Sequence, residues 1–63
     1  MKYIIENVSE HGITTIYKVE AVAEDNYDLY VWYRGEWDYN DNIGKQGLEY
    51  LMKNATNIYE AKK

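Results

Sequence analysis

Tyr27-Asp28-Leu29-Tyr30-Val31-Trp32-Tyr33-Arg34-Gly35-Glu36-Trp37-Asp38-Tyr39 holds six of the ten aromatic residues in a chain of 63. Its reading decides the fold. The run from Tyr27 to Tyr33 is rich in the aromatic and β-branched residues that suit a pleated, half-buried surface, and a second such run, 36–40, follows Arg34-Gly35. A two-residue connection with Gly second is what a tight hairpin turn with positive φ asks for. Arg in the first position is less usual than Asn or Asp, which leaves a bulged turn open as well. Along the first run Tyr27, Leu29, Val31 and Tyr33 share one face while Tyr30 and Trp32 share the other; beyond the turn Trp37 and Tyr39 alternate with Glu36 and Asp38.

Upstream, Glu24-Asp25-Asn26 reads as a polar turn. Residues 13–23 show a period of two, with Ile13, Thr15, Tyr17, Val19, Ala21 and Ala23 against Thr14, Lys18 and Glu20, which marks a half-buried strand. Ser9 to Gly12 makes the preceding turn, and Lys2 to Val8, with its Tyr-Ile-Ile run, the first strand. Downstream, Asn40, Asp41 and Asn42 offer helix N-caps, and Leu48, Leu51, Met52 and Ala55 recur at helical spacing, which predicts one helix within 42–55 starting between Asp41 and Lys45. Gly44 and Gly47 each cost up to ~1 kcal/mol against Ala in a helix, so its first turn is expected to be frayed or loop-like. Asn54 then ends the helix and 56–61 adds a last strand, against the competing reading in which Ile58 and Tyr59 prolong the apolar stripe. The fold class is α+β. A single domain spanning 1–63 is expected, a small antiparallel sheet of three to five strands with one helix on one face, in the order strand, strand, strand, optional strand, helix, optional strand. The other sheet face is left open, with Tyr30 and Trp32 on it beside Ile16 and Ile4.

Size limits what this domain can do. A 63-residue chain buries only about 60% of the surface its unfolded form exposes, and with no Cys it has no disulfide or thiolate metal site to reinforce a small core. Self-association is one way to make up the deficit, so a homodimer is among the expectations. The N-terminus lacks the apolar core of a signal peptide and no run approaches a membrane span, which makes a cytoplasmic location the default.

Chemistry is sparse. His11 is the sole imidazole and sits two residues from Ser9 in a turn, without the surroundings of a nucleophile and base. Glu36 and Asp38 are too shallowly placed for a pair of catalytic carboxylates. From Asp38, the spacing of Asn40, Asn42 and Glu49 gives half a calcium loop, lacking the Gly at its sixth position. No enzyme, metal or cofactor is expected.

The charge is informative. Between Glu20 and Asp41 seven acids stand against one base, Arg34; residues 1–19 balance, and 42–63 are two units positive through four Lys, Lys62 and Lys63 among them, giving −4 overall. Such a surface suits neither nucleic acid nor an anionic membrane, and suits a basic patch on another protein. The expectation is a non-catalytic inhibitor that occupies the basic, nucleic-acid- or nucleotide-facing surface of a partner protein. Tyr30, Trp32, Trp37 and Tyr39 are read as anchors and Asp28, Glu36, Asp38 and Asp41 as steering and pairing charges. Small acidic phage proteins that act against host defence by imitating nucleic acid share these class properties. The other reading is a homo-oligomer, structural or ligand-sequestering, with the aromatic face as its seam and Arg34 or Lys45 holding a small anion.

Overall fold

The computed structural model describes residues 2–61; Lys62 and Lys63 lie outside them. Five strands and one helix follow in the order β1 (Lys2–Val8), β2 (Thr14–Ala23), β3 (Asn26–Tyr33), β4 (Glu36–Gly44), α1 (Lys45–Lys53) and β5 (Asn57–Ala61). All strand pairings are antiparallel, and the spatial order is β4-β3-β2-β1-β5. The α+β class, the single helix and the strand order therefore stand as the sequence implied, with the optional fourth and fifth strands both formed.

The turns follow from local chemistry. Arg34 and Gly35 both have positive φ, 51° and 84°, and Tyr33 pairs directly with Glu36. The connection is thus the tight two-residue hairpin whose twist matches its strands. Arg34 tolerates its left-handed backbone with its guanidinium laid over the Tyr33 ring, 5.2 Å from the centroid. In the first turn, Ser9 Oγ accepts the backbone N–H groups of His11 and Ile13 at 3.3 and 3.2 Å. The hydroxyl is spent on the turn.

The largest departure from expectation lies between β4 and α1. The strand runs on to Gly44, and the helix begins at once at Lys45 with Gly44 as its N-cap and no side-chain capping bond. Asn40, Asp41 and Asn42 are strand residues. Asn42 is drawn away from capping because its Nδ2 donates to Asn26 Oδ1 at 2.6 Å and Asp28 Oδ1 at 2.9 Å across the hairpin. Nor is the first helical turn loop-like: Gly47 lets it pass close to the strand, since a Cβ there would stand 3.1 Å from Ile43 Cβ.

At its other end the helix stops where Asn54 diverts the chain. The Asn54 backbone N–H and Nδ2 both donate to Tyr50 O, while Asn54 O accepts from Asn7 Nδ2 at 2.9 Å. Thr56 N then donates to Glu6 O at 2.8 Å and Thr56 Oγ accepts from Val8 N at 2.9 Å, which lays β5 beside β1. The helix stripe Leu48, Leu51, Met52 and Ala55 covers one sheet face. Ile5 and Val19 beneath it are wholly buried, Leu29 and Leu48 nearly so, and Tyr3, Tyr17, Tyr27 and Ile43 close the margins. Val19 and Leu29 are register partners, so the odd-numbered face read from the sequence is the covered one.

Candidate functional site

Side chains on paired residues share a sheet face, and the register assembles the open face row by row. One row crosses all five strands as Tyr59, Ile4, Lys18, Tyr30 and Tyr39. A second is Ala61, Lys2, Glu20, Asp28 and Asn42. A third begins Asn57, Glu6, Ile16, and Trp32 and Trp37 form the remaining pair on the hairpin.

The four rings meet edge to face. Tyr30 and Tyr39 have centroids 5.6 Å apart at 78°, and Trp32 and Trp37 5.0 Å apart at 69°, the arrangement that aromatic quadrupoles favour. Lys18 sits among them with its ammonium 4.5 Å from the Tyr30 centroid and 5.1 Å from that of Trp37. Its role is one the sequence reading missed, although Lys18 is two residues from Ile16 on a strand already assigned to this sheet. Trp32 and Tyr39 remain 44% and 58% exposed. The rings are therefore held rigidly by one another while their outer surfaces face water.

The eight residues proposed from sequence divide between two faces. Tyr30, Trp32, Trp37, Tyr39 and Asp28 come together on the open face. Glu36, Asp38 and Asp41 do not join them: they oppose Tyr33, Val31 and Leu29, on the helix side of the same edge strand, where all three are exposed. For Glu36 and Asp38 this is simple alternation. For Asp41 it is a register shift. Leu29 pairs with Asp41 and Tyr30 with Tyr39, so Asn40 is an extra residue, and the bulge carries Asp41 and Ile43 to the covered side and Asn42 to the open one. A strand without the bulge would leave Ile43 out of the core.

The acids on the open face are engaged. Glu20 Oε2 lies 3.3 Å from Lys2 Nζ, and Asp28 accepts from Asn42. Glu36, Asp38 and Asp41 pair with no cation among the described residues. The Tyr39 phenol is held above its ordinary value, first by partial loss of hydration, then by the negative charges of Asp28 and Asp41 and by the Tyr30 hydroxyl.

Other candidates resolve on geometry. Asp38 and Asn42 point to opposite faces of an extended strand, so the calcium-like spacing does not converge, and no group of three metal-ligating side chains occurs among the described residues. Arg34 at the hairpin tip and Lys45 after the far end of β4 are separated by the length of that strand, so an anion at either would be held without the other. His11 is exposed beside Glu10, 3.9 Å away. The described residues form no pocket, and none of their helices is long and apolar enough to cross a membrane. No protein-family model, curated protein or solved structure matches the chain.

Proposed function

We propose that this chain is a non-catalytic binding protein that sets its β3–β4 hairpin against a basic surface of another protein. One observation carries the reading: a single edge hairpin presents a mutually packed, exposed set of rings on one side and, on the other, three carboxylates that pair with no cation among the described residues. Rigid Tyr and Trp surfaces bind at low entropic cost, and carboxylates at a rim speed encounter with a positive partner. The division between faces gives the two parts different work. Trp32, Trp37, Tyr30 and Tyr39 anchor on the flat side, with Asp28 at its margin, while Glu36, Asp38 and Asp41 engage Arg or Lys that wrap around the edge. A partner surface of this kind ordinarily meets phosphate, so the chain acts as an inhibitor by occupying it in the cytoplasm. The small phage proteins that block host defence are analogues of class.

The test uses the protein retained by the immobilised chain. Asp38→Lys with Asp41→Lys is expected to slow association and flatten its salt dependence, because charges outside the anchor act by steering. Trp32→Ala is expected to speed dissociation, with a loss of ~2 kcal/mol or more. A duplex DNA oligonucleotide should displace the chain from its partner. Displacement failure, or an affinity and salt response untouched by the double charge reversal, would overturn the proposal.

A further inference from the structure

The two free edges of the sheet are not alike. β4 is protected in the manner of natural edges, by the bulge at Asn40 and by Glu36, Asp38 and Asp41. β5 carries no bulge and a single carboxylate, Glu60. Its five residues, Asn57-Ile58-Tyr59-Glu60-Ala61, contain no Gly, Pro or Lys, follow β1 in unbroken register from Glu6↔Asn57 to Lys2↔Ala61, and leave Ile58 44% and Tyr59 55% exposed. The Glu6 carbonyl faces β5, where it accepts from Thr56 N, so its register partner Asn57 turns inward and the main-chain groups of Ile58 and Glu60 turn outward.

The geometry points to a homodimer in which β5 pairs antiparallel with β5 of a second copy, making one continuous ten-stranded sheet. Charge and symmetry select this occupant. Pairing β4 with β4 would set three carboxylates of each copy against three of the other. Pairing β4 with β5 is head-to-tail and makes a ring or an open filament, not a two-fold dimer. A two-fold axis at Tyr59 sets that ring against its own copy, in line with the row Tyr59, Ile4, Lys18, Tyr30 and Tyr39, and places Ile58 opposite Glu60 of the partner subunit with no like charges facing. The four outward main-chain groups of Ile58 and Glu60 on each copy are then satisfied by the other. This inference goes beyond the hairpin reading and moves the seam away from the aromatic face. Each dimer would display its two hairpins at opposite ends of the sheet.

A contact this short buries less than a standard interface, so a concentration-dependent equilibrium is expected, monomer at about 10 µM and mostly dimer near about 1 mM. Sedimentation velocity across that range tests it on the whole chain. Ile58→Lys should keep the parent's circular dichroism and weaken dimerisation at least about ten-fold, whereas Trp32→Ala should dimerise as the parent does. In the parent, amides of Ile58 and Glu60 should exchange more slowly as concentration rises, and those of β4 should not. That measurement decides the matter if Ile58→Lys does not fold. A parent that stays monomeric near about 1 mM, exchange at β5 indifferent to concentration, or dimerisation lost in Trp32→Ala and kept in Ile58→Lys would each overturn the inference.

Discussion

Asn40 and Tyr39 show how much a single position decides. By inserting one residue opposite Tyr30, Asn40 reverses the alternation of everything after it, which puts Ile43 under the helix and Asn42 beside Asp28. Tyr39, just before the bulge, keeps its ring against Tyr30 and its hydroxyl near Asp28 and Asp41. A raised phenol pKa means the folded state disfavours the anion. Its contribution to stability is present below the ordinary value of 10.0 and is lost as pH rises through the folded value. Asp28→Asn, which still offers Asn42 an oxygen, should return the Tyr39 titration toward that ordinary value, read as the tyrosinate absorbance that disappears in Tyr39→Phe. An unchanged titration would leave loss of hydration, Asp41 and Tyr30 as the causes.

At the scale of elements, the hairpin turn and the strand-to-helix junction use glycine for different reasons. Gly35 has φ 84° with nothing near the position of an added Cβ, so its requirement is purely conformational. Gly44 has φ −93°, an ordinary value, and a Cβ there would meet only Asp25 O at 3.7 Å. Gly35→Ala should therefore cost ~1–2 kcal/mol by urea denaturation, the left-handed penalty for an L-residue, while Gly44→Ala, which keeps an allowed backbone and loses only a better N-cap residue, should cost about 0.5–1 kcal/mol. The elements were legible because their signals are local: a period of two in β2, aromatic runs around Arg34-Gly35, an apolar stripe in α1. The start of α1 at Lys45 falls at the end of the expected range, but its cap was not legible. The Asn-Asp-Asn run looks like a choice of caps, and only the cross-strand bonds of Asn42 to Asn26 and Asp28 show that it is needed in the sheet.

For the whole molecule, the buried core among the described residues is four side chains: Ile5, Val19, Leu29 and Leu48. At 0.05–0.15 kcal/mol per residue, a domain of this length has a stability of roughly 3–9 kcal/mol. Ile5→Ala, which empties a wholly buried site, should cost about 2–5 kcal/mol and so remove at least about a fifth of that total. Ile13→Ala, on an exposed side chain at the start of β2, should cost within about 0.5 kcal/mol. Chemical denaturation of both would show whether stability is concentrated where the burial is. Of the candidate site, Tyr30 and Trp32 were legible on the open face because they alternate with Leu29 and Val31, whose apolar side chains call for the helix, whereas Trp37 and Tyr39 join them through the hairpin register.

The class of fold, the sites of the turns, the covered face and the negative charge of residues 20–41 are legible along the chain, since each rests on chain-local chemistry: backbone freedom at Gly, side-chain period and formal charge. The tertiary structure decided which charges accompany the rings. Glu36, Asp38 and Asp41 are near Trp37 and Tyr39 in sequence and across the strand from them in space, while Lys18, remote in sequence, lies over two of the rings. The physical reason is that alternation sends neighbours to opposite faces, pairing brings distant residues to the same one, and a bulge that changes the count is fixed by hydrogen bonds between strands.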